Sequence, residues 1–451
     1  MEMPNIQRVY LVGIGGIGMS GLARYFRHRG YDVAGYDRTR TVLTERLAGE
    51  GIPVVYEDDP GLIPASYRTP GDETLVVYTP AVPKGSAIME FFRSGGFGLR
   101  KRSEVLGIIS RGMYTIAVAG THGKTTTSSI IAHLLKATGY DCSAFLGGIA
   151  TNYDSNVLFG TNQVVVVEAD EYDRSFLTLN PDLAVITSMD ADHLDIYGAK
   201  ENLTSSFKQF AGQVKPGGKL FYRLGLPLEE GVTYAAEGPA TVHAENIRIE
   251  DGAFVFDFRS PGHVLEGLRM ALPGLHNIEN AVASVQVALE LGIRPEAIRE
   301  ALAAFRGVRR RFEYIVRSPR HIYIDDYAHH PEELRACIAA VRALYPGKKL
   351  TTIFQPHLFT RTRDFAEGFA EVLAGSDELI FLDIYPAREL PIEGVSSATI
   401  MDRISGTPTR LCSKEEVLHV IGQERPELLL TVGAGDIDTL VKPLKKILED
   451  A

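Results

Sequence analysis

The chain has 451 residues, 45% of them hydrophobic, and a formal net charge of −10. This length allows about three domains with cores of their own, and the acidic balance argues against a general nucleic-acid binder. Three widely spaced cysteines, Cys142, Cys337 and Cys412, indicate neither a disulfide framework nor a CxxC metal site; without a signal-type start or a membrane-length apolar run, a cytoplasmic protein with no membrane or nucleic-acid partner is expected.

The first block opens with "RVYLVGIGGIGMSGLARYFRHRGYDVAGYD", which reads as strand, glycine turn, helix and a second strand ending at Asp37. Gly13, Gly15 and Gly18 satisfy G-x-G-x-x-G, and Asp37 stands where an acidic ribose ligand belongs. Alone, the pattern suggests a dinucleotide site or merely a tight strand-to-helix turn. Further strands, such as "TLVVYTP", carry the block to about Gly107.

The second block begins at "MYTIAVAG", an alternating strand, and continues into "THGKTTTSSIIAHLLKATG". Ile130, Ile131, Leu134 and Leu135 share a helical face that ends at Gly139. Free N–H groups at the helix start favour anions, Lys124 adds charge on terminal phosphates, and the Thr125 hydroxyl suits Mg²⁺. Gly120 lies three residues before Gly123, where the usual phosphate loop has a longer spacing. Two apolar strands follow, "QVVVVEAD" ending at Glu168, Asp170 and Glu171, and "DLAVITSMD" leading to Asp190, Asp192, His193 and Asp195. Both acidic ends belong at the carboxyl edge of a mainly parallel sheet. A solvated strand end accounts for any single carboxylate; Glu168 and His193 together beside a phosphate loop point to Mg²⁺.

A β-rich stretch runs from about Gly217 to Met270, and then "LPGLHNIENAVASVQVALELGI" places Asn277 and Asn280 on one helical face,. They can cap the helix or bind a base. "FRGVRRRFEYI" supplies Arg306, Arg309, Arg310 and Arg311, a solvated surface or a clamp for phosphate or carboxylate. The third block alternates strands "HIYIDDY", "KLTTIFQPH" and "ELIFLDIYP" with helices and closes on "LLLTVGAGDIDTL". The expected fold is α/β with three domains: a Rossmann-like domain over 1–107, a central P-loop ATPase-type domain with a mainly parallel sheet over 108–311, and a C-terminal Rossmann-like domain over 312–451,.

Taken together, "GIGGIGMSG", "AGTHGKTTT", "VVEADE", "DHLD", "HNIEN", "RRRFE", "DDYAHHPEE" and "QPHLFTRTRD" resemble the Mur ligases of peptidoglycan synthesis along the whole chain. In that family the phosphate loop is shortened to GTxGKT, and the N-terminal glycine turn binds the diphosphate of a UDP-sugar instead of NAD. The resemblance implies an ADP-forming ligase that joins L-alanine to UDP-N-acetylmuramate through an acyl phosphate, with ATP and Mg²⁺. Gly120, Thr121, Gly123 and Thr126 then belong to the ATP loop, and Lys124 contacts the phosphates. Thr125 and Glu168 hold one Mg²⁺, and His193 helps to hold a second.

The same resemblance places His276, Asn277 and Asn280 in the adenine segment and brings Arg311, or its neighbour Arg310, to the γ-phosphate. Asp326, Tyr327 and His329 meet nucleotide and amino acid after domain closure, with His357 and Arg361 nearby; His329 orients or deprotonates the amine. Gly15, Gly16, Gly18, Ser20 and Asp37 map to the UDP-sugar, as do Thr79 and Arg102. Leu358 stands where relatives often carry arginine, and Ser188 replaces a common asparagine. Ser206 or Phe207 occupies the place of a carbamylated lysine in several sister ligases, with Lys208 slightly out of register, so that modification is not expected. The rival readings are a ligase for recycled peptide, an NAD-dependent dehydrogenase and a nucleotide-binding regulator without chemistry. The quaternary expectation is a monomer or homodimer.

Overall fold

The computed structural model describes residues 5–83, 85–190, 200–250, 253–387 and 389–449. Apolar runs that switch between a two-residue and a 3.6-residue period build three α/β sheet domains. In the first, the strands Arg8–Val12, Asp32–Tyr36, Val54–Val55, Thr74–Tyr78 and Gly98–Lys101 are all parallel and lie in the order 3-2-1-4-5. Val9 and Leu11 pack on one face with Met19, Leu22 and Phe26 of the helix Ile17–His28. Tyr10 and Val12 pack on the other with Ile88 and Phe92. Burial on both faces is what a doubly wound sheet requires.

The second sheet has ten strands. Tyr114–Ala119 lies between Leu183–Ile186 and Val164–Glu168, parallel to both. The antiparallel hairpin Ser143–Ala150 and Ser155–Leu158 forms one edge. The β-rich stretch joins the opposite side of the same sheet as five further strands, from Lys219–Arg223 to His263–Met270. Because the central strands are parallel, they end at one edge; Val118 is in register with Glu168 and Ala119 with Ile186.

The third sheet has six strands, in the order Glu313–Arg317, Ile322–Asp326, Leu428–Val432, Leu350–Phe354, Glu378–Phe381 and Thr409–Leu411. Only the first pair is antiparallel. Two compact units result. One comprises Met1–Arg248, Val255–Met270 and His276–Arg306, and the other Ile249–Phe254, Ala271–Leu275 and Gly307–Ala451. The first unit thus contains the first sheet and nearly all of the second, and the helix Arg102–Arg111 leads from one to the other. Among the described residues no helix is long and apolar enough to cross a membrane.

Candidate active site

The strand Tyr114–Ala119 runs into a loop at Gly120, and the helix Lys124–Ala137 starts directly after Gly123. Gly123 has φ of 81°, and a Cβ there would lie 2.9 Å from Asn280 Oδ1, so this position requires glycine,. The neighbouring strand end fixes the loop. The Ser188 hydroxyl accepts from the His122 N–H at 2.8 Å, Thr187 donates to the Ala119 and His122 carbonyls, and the Thr121 hydroxyl accepts from the Asp190 N–H at 2.8 Å. Ser188, the departure from the family pattern, is therefore a loop anchor. Thr125 and Thr126 are buried in the first helical turn.

The Thr125 hydroxyl donates to Glu168 Oε1 at 3.0 Å, while Glu168 Oε2 accepts from the Gly147 N–H at 2.9 Å. A hydroxyl and a carboxylate held side by side are hard oxygen donors of the type that Mg²⁺ takes. No group of three metal-ligating side chains occurs among the described residues; His193, Asp192 and Asp195 lie outside them.

Lys124 folds back over its own loop. Its Nζ donates to the Gly120 carbonyl at 2.5 Å and to Glu171 Oε1 at 2.9 Å, and it lies 2.7 Å from Glu171 Oε2. Glu171 is almost completely buried. Burial opposes the lysine charge, but Glu171, Asp170 and Glu168 outweigh it and hold the ammonium above its ordinary pKa. Glu171 is not implied as a ligand by any spacing; its buried position against Lys124 identifies it.

In the first sheet domain, the Gly15 N–H donates to Asp37 Oδ2 at 2.8 Å, and the Thr39 N–H to Oδ1 at 3.0 Å. Asp37 thus closes the glycine turn with the same carboxylate that a dinucleotide reading would give to a ribose. Gly16 precedes the helix Ile17–His28 without capping it by a side chain. Gly18 faces the Arg102 guanidinium, which pairs with Asp170 at 3.0 Å. Thr79 receives the Ala81 N–H at 3.4 Å. Ser20 is fully buried; its hydroxyl donates to the Ile17 carbonyl and accepts from Asn156 Nδ2 at 3.1 Å.

Asn277 and Asn280 are buried near the start of the helix Leu275–Glu290, whereas His276 is exposed. The Asn280 carbonyl oxygen accepts from the Thr127 hydroxyl at 3.1 Å, and its amide donates to Asn277 Oδ1 at 3.4 Å. These two residues therefore brace the phosphate-loop helix. Ser206 and Phe207 are buried, with Phe207 stacked edge-on against Phe176 at 5.2 Å, and Lys208 is exposed. Neither Ser206 nor Phe207, the two residues expected at the carbamylated-lysine position, is a lysine, and both are buried.

In the C-terminal unit, the Arg310 guanidinium donates to Asp325 Oδ2 at 3.1 Å and to the Gly433 carbonyl at 2.6 Å, and lies 5.2 Å from the Tyr327 ring. Those bonds tie Arg310 to its own domain. Asp326 accepts from the Phe312 and Ala328 N–H groups at 2.6 and 2.7 Å, and burial raises its pKa to about 6. His329 Nδ1 is 2.9 Å from the Tyr327 carbonyl, and its ring lies 5.8 Å from His357. Arg361 Nη1 is 3.3 Å from His357 Nδ1. Burial, above all, lowers the pKa of both histidines, that of His357 to about 4 with help from His329 and Arg361. Tyr385, unmarked by any motif, stacks over His357 at 5.8 Å, and Leu358 adopts φ of 71° at the start of the helix Phe359–Asp364.

Three family models cover these domains: the Mur ligase family catalytic domain over 8–114, the Mur ligase middle domain over 118–288 and the Mur ligase glutamate ligase domain over 310–435. The chain belongs to the Mur ligase family. It is 49% identical over 450 residues to the UDP-N-acetylmuramate--L-alanine ligase of Flavobacterium johnsoniae, with 100% of both chains covered. It is 50% identical to the enzyme of the same name from Christiangramia forsetii, with 99% of each covered. The crystal structure of the UDP-N-acetylmuramate-alanine ligase of Thermotoga maritima superposes with a TM-score of 0.84 at 27% identity, covering 98% of each chain. A murein peptide ligase from Psychrobacter arcticus shares the fold, with a TM-score of 0.70 at 21% identity and 99% of each chain covered. As a Mur ligase the chain uses ATP, which accounts for the phosphate loop that a dehydrogenase reading leaves unexplained.

Two predictions follow from the charges. Removing one member of a buried pair strands the other, at a cost of about 3 kcal/mol, whereas removing both is nearly neutral. Lys124→Met should therefore lower the thermal midpoint and Lys124→Met/Glu171→Gln should recover most of the loss; equal midpoints for wild type and the single variant would exclude the counter-ion role.

The second concerns His357, whose ordinary pKa of about 6.5 falls to about 4 in the fold. Between those values the unfolded chain binds a proton that the folded chain does not, so stability declines as pH falls through that window. His357→Gln should lose less thermal midpoint on acidification than wild type does, and parallel curves would contradict the assignment.

Proposed function

We propose that this Mur ligase joins L-alanine to the lactyl carboxylate of UDP-N-acetylmuramate, forming ADP and phosphate in peptidoglycan precursor synthesis. The observation that carries this reading is the end-to-end match to relatives named for that reaction. It acts in the cytoplasm, where ATP and nucleotide sugars are available.

A carboxylate and an amine do not condense in water unaided, because the carboxylate has no leaving group. Transfer of the γ-phosphoryl group to the carboxylate creates an acyl phosphate, and attack by the alanine amine then expels phosphate. The loop N–H groups at Gly120, Thr121 and Gly123 cradle the phosphates, and Lys124, released from Glu171, neutralises the transferring group. Arg311 adds a second positive charge. Thr125 and Glu168 would hold Mg²⁺, with His193 holding a second ion; the metal offsets phosphate charge and polarises the transferring group. Residues Gly15, Gly16 and Gly18 receive the UDP-sugar diphosphate, Asp37 shapes the turn by holding Gly15, and Thr79 and Arg102 border the sugar nucleotide.

Asn277 and Asn280 position the adenine segment with His276, and Asp326 and Tyr327 complete the nucleotide site when the C-terminal domain closes. His329, neutral at neutral pH because its pKa is lowered, orients the alanine ammonium and accepts its proton. His357 and Arg361 border the amino acid. Closure excludes water that would otherwise hydrolyse the acyl phosphate.

ADP and phosphate should appear only when UDP-N-acetylmuramate and a small amino acid are both present, with L-alanine best. Heavy oxygen placed in the substrate carboxylate should finish in inorganic phosphate. Unlabelled phosphate would exclude the acyl phosphate, and equal ATP turnover without sugar nucleotide would exclude the ligase.

Glu168→Gln should raise the Mg²⁺ concentration for half-maximal rate by roughly tenfold or more, since even outer partners of metal sites contribute that much. UDP-sugar binding, measured by calorimetry, should survive. A wild-type magnesium titration would remove Glu168 from the metal site.

A further inference from the structure

The helix that follows the glycine turn of the first sheet domain is held at its start by a side chain of the central domain. Asn156, 1% exposed, stands on the edge strand Ser155–Leu158. Its Nδ2 donates to the Ile17 carbonyl at 2.5 Å and to the Ser20 hydroxyl at 3.1 Å. Its Oδ1 accepts from Arg24 Nη1 at 2.7 Å. Ser20 donates to the same Ile17 carbonyl at 2.9 Å, and Arg24 makes two further bonds to Glu50, at 2.7 and 2.9 Å.

Both donors and the carbonyl oxygen of the Asn156 amide are therefore used, and two of its partners lie in the first turn of the helix Ile17–His28. That turn directly follows Gly16, whose lack of a side chain leaves the helix start without a side-chain cap. The amide supplied across the seam is its lateral anchor. The hairpin that carries Asn156 has a second attachment: its other strand contains Gly147, whose N–H holds Glu168 Oε2. One hairpin thus grips the helix that follows the glycine turn through Asn156, and Glu168 beside the phosphate loop through Gly147.

We infer that Asn156 is a positioning residue for the sugar nucleotide, holding the helix start behind the glycine turn in the shape that receives the nucleotide diphosphate. This rests on the assignment of the glycine turn to the UDP-sugar. Asn156 itself touches no reacting atom; it acts through the Ile17 carbonyl and Ser20. Loss of its bonds lets the first helical turn shift and leaves a guanidinium hydrogen with its acceptor removed.

The test is steady-state kinetics of full-length variants, with calorimetric binding of UDP-N-acetylmuramate. Asn156→Leu keeps the branching and the number of heavy atoms and removes every bond. Asn156→Asp keeps the acceptor for Arg24 but sets a carboxylate oxygen against the Ile17 carbonyl, so it spares the seam and disturbs the turn. Both should raise KM for UDP-N-acetylmuramate about tenfold, corresponding to about 1.4 kcal/mol, while KM for ATP and kcat stay within about twofold. Ser20→Ala, which keeps the amide and removes one of its partners, should give a smaller change in the same direction. If Asn156→Leu fails to fold, the aspartate and Ser20→Ala variants decide.

Gly15→Ala is the control, because a Cβ there would lie 2.7 Å from Asp37 Oδ2. If Gly15→Ala weakens UDP-sugar binding and the Asn156 variants do not, the positioning role is overturned and the site assignment stands. If Gly15→Ala leaves binding intact, the site assignment fails and the inference with it. An equal rise in both KM values, or a fall in thermal midpoint with unchanged KM, assigns Asn156 to the scaffold alone and overturns the proposal.

Discussion

The parallel register of three strands is the constraint on which the site depends. Tyr114–Ala119, Val164–Glu168 and Leu183–Ile186 all point the same way, so each releases its polar residues at one edge. Gly120 opens the phosphate loop from the first, Glu168 ends the second beside Thr125, and Thr187 and Ser188 from the third bond back to the loop at His122. Were Val164–Glu168 antiparallel to Tyr114–Ala119, Glu168 would end at the opposite edge, away from Thr125. The chemistry therefore follows from strand direction before it follows from any single side chain.

Gathering anion-binding groups at one edge creates an electrostatic difficulty. A glycine loop at a helix start gathers N–H groups and a lysine, and a lysine without a partner in a partly buried site loses solvation. Glu171 resolves this by accepting Lys124 within the loop, and the Gly120 carbonyl shares the ammonium. On the proposed assignment, phosphates would exchange one anionic partner of Lys124 for another, with no need to strip water from a free ammonium. Arg102 and Asp170 repeat the arrangement nearby: a cation from the first sheet domain is matched by a carboxylate two residues past Glu168.

Sequence made the local elements legible and left the long-range partners hidden. The change from two-residue to 3.6-residue periodicity on either side of "GTHGKT" marks strand, loop and helix, and Glu168 is visible because a run of four valines ends there. The bonding of Asn156 is invisible in the same way that its partners are distant: Ile17 and Ser20 lie more than a hundred residues earlier in the chain. Glu171 sits in a turn in which Asp173 and Arg174 have φ of 53° and 55°, a conformation that no periodicity encodes. Arg310 and Arg311 are equivalent in sequence, and the Asp325 and Gly433 acceptors of Arg310 become visible only in the fold. The segment "DHLD" carries the expected metal histidine, His193, and lies outside the described residues.

A reaction through an acyl phosphate makes different demands on the two nucleotide-binding turns of the first unit. Phosphoryl transfer requires acceptor oxygen and phosphorus to be aligned closely, and small misplacements cost large factors in rate. If the first sheet domain were joined to the central one only by the helix Arg102–Arg111, thermal rocking about that helix would move the sugar nucleotide against the loop. The seam instead carries the Arg24, Glu50 and Asn156 network, the Lys101–Asp173 and Arg102–Asp170 pairs, and the Tyr25–Phe145 ring contact at 5.2 Å. Contacts at several separated points resist rotation about any one of them. On the proposed assignment of the two turns, the first unit would hold the lactyl carboxylate aligned with the phosphate loop in advance.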